Sequence, residues 1–179
     1  MDKLITERLI LRQPEEQDCA AILDIHNSFF VLQYNAMKII TEKEMLDEIK
    51  NNQNNTFYIE RKESGEVIGA IFIDDDFLRY KVNSRAISYY LGEKYIRNGY
   101  MFEALKEVIK KLFCDGYDII AARAFSENKS SIGLLKKLGF SYEGCIRHCV
   151  KGYGNIIYDD MIFSLLQSEW EKINKSNDA

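Results

Sequence analysis

Apolar positions recur along this chain in two periods, and the alternation between them predicts the elements in order. From Leu4 to Arg12 the chain alternates apolar and polar at Leu9, Ile10, Leu11 and Arg12 closely enough to read as a first strand, which the only proline, Pro14, stops. Glu15 to His26 carries Ala20, Ala21, Ile22, Leu23 and Ile25 and predicts a helix. Phe29 to Tyr34 is an apolar, aromatic segment that suits either the core or one wall of a substrate cleft. Thr41 and Glu44 have the spacing of a capping box, Met45, Leu46 and Ile49 give the inner side of a second helix, and Asn51 to Asn55 form a polar turn. Phe57–Arg61 and Val67–Ile73 flank Glu63-Ser64-Gly65-Glu66, a hairpin whose glycine takes a positive φ. Asp74-Asp75-Asp76 then ends a strand. Three successive carboxylates suit a metal or an amine, but beside a strand they more commonly form a solvated turn.

Arg85 to Leu91 is a strand that leads to the central feature. Its apolar run ends at Gly92, and Gly99 opens a segment with Met101, Ala104, Leu105, Val108, Ile109 and Leu112 at helical spacing. A helix start leaves its first N–H groups unpaired at the positive end of the peptide dipoles, which suits a phosphate or pyrophosphate. Gly99 clears space for such an anion and Arg97 adds charge; a plain connector is the other reading of the same glycine. Beyond this helix, Asp118–Phe125 reads as a strand, Asn128–Leu138 as a short helix stopped by Gly139, and Phe140–Val150 with Ile156–Leu166 as a closing pair. Ser168 onward reads as a soluble tail. The order is mixed α/β (α+β), with mostly antiparallel neighbours.

A length of 179 residues suits one domain able to bury its own core. With 46% hydrophobic and 29% charged residues and a formal net charge of -4, a nucleic-acid partner is not expected. Charges run through residues 1–20 and no apolar run is long enough to span a bilayer, so neither a leader nor a membrane span is expected and the protein is placed in the cytoplasm. Cys19, Cys114, Cys145 and Cys149 lack a Cys-x-x-Cys pair, and His26 and His148 supply no zinc spacing, so no metal is expected. Cys145 and Cys149, four apart in a strand, should share one face as buried or half-buried thiols.

Four stretches carry a resemblance: Thr6-Glu7-Arg8-Leu9-Ile10-Leu11-Arg12; Gly99-Tyr100-Met101-Phe102-Glu103-Ala104-Leu105; Asn128-Lys129-Ser130-Ser131; and Lys137-Leu138-Gly139-Phe140 with Glu143-Gly144. Their succession, from Thr6 to about Trp170, resembles the GNAT acetyltransferase superfamily, most closely the branch that includes the ribosomal-protein N-terminal serine/alanine acetyltransferases. The resemblance implies a central, twisted, mostly antiparallel sheet of six or seven strands flanked by helices, with one strand pair splayed around the pantetheine arm of acetyl-CoA. Tyr89, Tyr90 and Leu91 would face that arm across from Ala121 to Phe125. Arg97, Asn98, Gly99, Tyr100, Met101 and Phe102 would hold the pyrophosphate, Asn128 the pantetheine end, and Lys136 or Lys137 the nucleotide phosphates.

Departures from the family pattern bear on the chemistry. Ile96 stands where Gln or Arg is usual, and Met101 where Gly or Ala is. The tyrosine that protonates the leaving thiolate in many members would fall at Leu135, so that role moves to Ser131, whose other reading is a hydroxyl bonded to helix backbone. A general base would fall at Ala86 or near Val150, and neither is one. His148, expected on the face of Val150, is a candidate base; Glu143 and Asp74 to Asp76 are others, and its other reading is a packed or exposed histidine. The function implied is N-acetyl transfer from acetyl-CoA to a primary amine, an N-terminal α-amine or a small amine, in a ternary complex of a monomer or homodimer. The alternative is a GNAT-fold module that binds acetyl-CoA without turnover.

Overall fold

The computed structural model describes residues 2–36 and 38–177. Its frame is one mixed sheet in the order β1-β2-β3-β4-β5-β6-β8-β7, formed by β1 Leu4–Ile5, β2 Leu9–Arg12, β3 Thr56–Arg61, β4 Val67–Asp74, β5 Ser84–Leu91, β6 Ile119–Phe125, β7 Ser141–Lys151 and β8 Ile157–Leu166. Among the described residues, only β5 and β6 run parallel. The described residues form eight strands rather than six or seven because the first predicted strand is itself a small hairpin: Thr6 turns the chain, its amide bonding Leu9 O at 3.1 Å.

Helices cover both faces. On one, α1 Cys19–His26 and α3 Glu42–Asn51 bring Ile22, Met45 and Ile49 onto Tyr58, Ala70 and Tyr90. On the other, α4 Tyr100–Cys114 and α5 Lys129–Lys137 lay Leu105, Val108, Ile109 and Leu135 on Ile59, Ile71 and Ile120. Between α1 and α3 the aromatic segment forms a single-turn helix, α2 Phe29–Leu32, capped by the Ser28 hydroxyl. The Thr41–Glu44 capping box closes as its spacing predicts, and Gly65 and Gly139 take φ of 70° and 93°.

Two expectations from sequence are corrected. The residues after Leu166 form a helix, α6 Gln167–Asn177, and Trp170 is 8% exposed with its ring 6.2 Å from that of Phe113, so this segment completes the core. The strand alternation expected through Cys145, His148 and Cys149 is broken, because the β7–β8 register shifts between Ile146 and Val150 and His148 has φ 47°. Cys145 is exposed and Cys149 half-buried rather than paired on one face. His148 does not share the face of Val150: it sits exposed in the bulge, its amide donating to Asp159 Oδ1 at 2.8 Å.

Candidate active site

The register of β5 makes the site. It pairs with β4 from Ala86 to Leu91 but with β6 only from Ser84 to Ile87, so beyond Ile87 the two parallel strands part. β6 meanwhile stays paired with β8 out to Phe125. A cleft of about 460 Å³ opens at this parting and runs to the start of α4. Tyr89, Tyr90 and Leu91 line it from β5; Arg97, Gly99, Tyr100, Met101 and Phe102 from the loop and helix start; Asn128, Ser131 and Lys137 from α5 and its cap. The sequence-predicted cofactor residues therefore converge, with one difference. Asn98 shapes the loop instead of lining the cleft: its side chain donates to Tyr95 O and Ile96 O at 3.2 and 3.0 Å.

The helix start presents groups that could meet an anion. Gly99 is the N-cap with φ 79°, and Arg97 has φ 61°, left-handed backbone that turns the chain sharply into α4. The first amide of the helix with a backbone acceptor is Glu103 N–H, bonded to Gly99 O at 3.0 Å, so the amides of Tyr100, Met101 and Phe102 precede the intrahelical ladder. Lys137 Nζ lies 4.5 Å from the centre of the Phe102 ring, placing an ammonium beside those amides. These features fit a diphosphate.

A clamp unseen in the sequence holds that helix start. Glu103 accepts from Thr6 Oγ at 2.6 Å, from Arg8 N at 2.8 Å and from Arg8 Nε at 2.7 Å. Arg8 also donates to Asn98 O at 2.9 Å, and its guanidinium lies 4.6 Å over the Tyr100 ring. Burial pushes the Glu103 carboxyl up, but the bonds from Thr6 and Arg8 outweigh it and hold the group below its ordinary value. The clue was present in Thr6-x-Arg8 and in an acidic residue within the first turn of a helix, but only folding brings positions 95 and more residues apart together.

At the inner end, Asn128 caps α5 by accepting the Ser131 amide at 3.1 Å, and Ser131 Oγ lies 2.8 Å from the Tyr89 hydroxyl. Ser131 is thus not spent on its own helix backbone. Leu135 is fully buried in the core and supplies no acid. On the α1/α3 face of the sheet, which the cleft also reaches at Phe30, Val31 and Tyr34, a second cavity of about 560 Å³, lined by His26, Glu48, Asn52 and Ser88, shares Asn35, Tyr89 and Tyr90 with the cleft. The two tyrosines, adjacent on one strand, and Asn35 lie between the two chambers. A larger groove of about 1000 Å³, among Arg12, Asp18 and Glu60, holds none of the expected site residues and is crossed by the Arg12–Asp18 and Arg12–Glu60 ion pairs.

Of the candidate bases, Glu143 and Asp76 both pair with Arg79, at 2.6 and 2.8 Å, and Asp75 pairs with Arg85 at 3.0 Å. Asp74 has no ion pair among the described residues; burial and the charge of Asp75 push its carboxyl up, and it lines a groove of about 470 Å³ with Ala86 and Ser88. His148 lines none of these cavities. No group of three or more His, Cys, Asp and Glu side chains among the described residues is placed to hold a metal, and no described helix is long and apolar enough to cross a membrane.

Comparison with known proteins agrees with this architecture. The profile of the family described as Acetyltransferase (GNAT) domain matches residues 8–141. Over 183 aligned residues the chain is 33% identical to the uncharacterized N-acetyltransferase p20 of Bacillus licheniformis, covering 95% of this chain and 99% of that one. A GNAT-family acetyltransferase from Bacillus anthracis superposes with a TM-score of 0.84 at 23% identity, covering 94% of this chain and 100% of that one. The ribosomal-protein-S5-alanine acetyltransferase of Vibrio fischeri superposes at 0.78 with 19% identity, covering 95% and 99%. The microcin C7 self-immunity acetyltransferase MccE, solved with acetyl-CoA and AMP, superposes at 0.76 with 16% identity, covering 89% and 93%.

Proposed function

The chain belongs to the GNAT acetyltransferase family, and from that premise we propose that it transfers the acetyl group of acetyl-CoA to an α-amine, that of a protein N-terminus or of a small amino compound, by direct attack in a ternary complex. The observation that carries this reading is the two-chambered site: a cleft ending on free helix amides, and a second cavity of mixed lining that meets it at Asn35, Tyr89 and Tyr90. Two adjoining chambers suit two substrates held together, and holding them so turns a bimolecular encounter into an oriented one.

Acetyl-CoA supplies the activated acetyl thioester. The amides of Tyr100, Met101 and Phe102, with Arg97 and Lys137, would hold its diphosphate. The strand edges left unpaired beyond Ile87 would take its amide-bearing arm, and backbone N–H groups there would stabilise negative charge on the carbonyl oxygen. Ser131 Oγ is the donor for the departing sulfur. The second cavity would orient the acceptor, with Asp74, on the same sheet face, as a candidate carboxylate that has no ion pair among the described residues. The Vibrio fischeri neighbour is an alanine acetyltransferase of a ribosomal protein, and a protein acceptor here would be a substrate of that kind. The protein would act in the cytoplasm.

The test is a panel of amines offered with acetyl-CoA, including peptides with free and blocked N-termini, with release of free thiol as readout. Thiol release dependent on a free α-amine is the expected result. Tight CoA binding without thiol release from any amine would refute turnover and leave a binding module.

A further inference from the structure

We propose that Tyr89 is a positioning residue for the leaving group: its phenol donates to Ser131 Oγ and thereby leaves the serine proton as the one free to meet the sulfur. The inference deepens the proposed function and rests on the donor role given there to Ser131.

The geometry is specific. Ser131 Oγ and Tyr89 Oη are 2.8 Å apart, both residues line the cleft, and the phenol has no other hydrogen-bond partner among the described residues. Either hydroxyl could donate at this distance; a phenol is a stronger acid than an alcohol and an alcohol oxygen the better acceptor, which favours the bond running from Tyr89 to Ser131. Ser131 is fixed at its backbone by the Asn128 cap at 3.1 Å, and its remaining freedom is rotation of the hydroxyl, which the tyrosine settles. Tyr89 reaches this point because β5 parts from β6 just before it, and because alternation along the strand sends Tyr90 to the opposite face.

Energetics decide between donating a hydrogen bond and giving up a proton. Burial pushes the Tyr89 phenol up to about 12, with the Ser131 bond drawing it partly back. A thiolate has the basicity of a group with pKa about 8.5, so taking that proton outright would be uphill by roughly three powers of ten. The two hydroxyls therefore act as a donor chain. When the amine nitrogen bonds to the acetyl carbon and the C–S bond breaks, the electron pair goes to sulfur as a thiolate that accepts from Ser131, and Ser131 accepts from Tyr89. The thiolate then takes its proton from water, and the amine loses its proton to water.

Removing one oxygen tests this. Tyr89→Phe should lower kcat about tenfold with the KM for acetyl-CoA changed less than twofold, and should have no further effect in a Ser131→Ala background. A second readout needs no turnover. A site that favours thiolate lowers the pKa of bound CoA, so CoA affinity measured by calorimetry should rise between pH 7 and 9.5. That rise should shrink in Tyr89→Phe and in Ser131→Ala, and desulfo-CoA should not show it. Equal losses from Tyr89→Phe with and without Ser131, or an unchanged pH slope, overturn the inference. If Ser131→Ala itself leaves kcat and slope unchanged, the donor role of Ser131 falls and this inference with it; if only Tyr89→Phe is silent, the donor role stands and Tyr89 alone is refuted. Should Tyr89→Phe not fold, 3-fluorotyrosine at position 89 keeps the shape and strengthens the donor; kcat should rise, and a fall overturns the proposal.

Discussion

Arg8→Ala should weaken CoA binding although Arg8 lies on the turn between β1 and β2, outside the residues that line the cleft. The substitution removes the Nε bond to Glu103, the bond to Asn98 O and the stacking on Tyr100. Because the Arg8 side chain is 43% exposed, the ion pair with Glu103 is discounted to about 0.5–1 kcal/mol, and the whole loss of stability should be about 1–2 kcal/mol. The larger consequence is electrostatic. Glu103 keeps the bonds from Thr6 and the Arg8 amide and so stays ionised, but its charge is no longer matched. Four residues of helix rise about 6 Å, and the side chain leans back toward the N-terminus, so a diphosphate on those amides would lie within roughly 8 Å of the carboxylate. At an effective dielectric of 20 one such pair repels by about 2 kcal/mol before salt screening. CoA affinity should fall about ten- to thirtyfold by titration calorimetry, more at low ionic strength than at high. Adding Glu103→Gln to Arg8→Ala should recover most of the loss, because the unmatched charge goes with it. Unchanged affinity in a folded Arg8→Ala protein, or no recovery in the double variant, would refute the reasoning.

Gly99→Glu should abolish CoA binding in a folded protein, since a side chain at φ 79° is strained and its charge enters the anion site; unchanged affinity by calorimetry would count against the site. Trp170→Ala should cost about 3 kcal/mol in urea unfolding while shifting CoA affinity less than twofold, because α6 completes the core without reaching the cleft. A peptide with a free N-terminus should give a higher kcat/KM than the same peptide blocked there and bearing a lysine, since an α-amine titrates near 8 and a lysine near 10.4. Its rate should rise with pH until the α-amine is neutral; faster acetylation of the blocked peptide would shift the assignment toward Asp74 as base, and Asp74→Asn should then abolish that reaction.

How far the sequence carried the fold depends on how local each signal was. The capping box at Thr41, the turn glycines Gly65 and Gly139, and the helix from Gly99 are decided within a few residues, and the structure has all of them. That Tyr89 to Leu91, Arg97 to Phe102, Asn128 and Ser131 lie near one cleft was readable because they fall in short runs at the ends of elements. What failed was non-local. Alternation placed His148 beside Val150, but the pairing of β7 with β8 absorbs extra residues in a bulge, and a bulge depends on the partner strand as much as on its own sequence. The tail after Leu166 looked polar because a single tryptophan, Trp170, carries most of its burial. The contacts of Glu103 with Thr6 and Arg8, and of Tyr89 with Ser131, join residues too far apart for any period to reveal.

The parting of β5 and β6 ties these pieces into one argument about backbone groups. Every strand residue has one N–H and one C=O, and in a continuous sheet they alternate between the two neighbouring strands. From Ser88 to Leu91 the groups directed at β4 are paired, while those directed at β6 have lost their partner strand; on β6 the same holds from Arg123 to Phe125 on the side away from β8. Buried polar groups left in that condition are costly, which is why most sheets keep such edges at the rim. Here the unpaired edges lie in the middle of eight strands, and the space between them opens on one side to a helix start with free amides and on the other to the cavity lined by His26, Glu48, Asn52 and Ser88. A ligand that carries amides along its length and a diphosphate at its end satisfies both sets of groups at once. The same parting brings the Tyr89 hydroxyl to Ser131, since a β6 paired through to Phe125 on both sides would close the space in which the two meet.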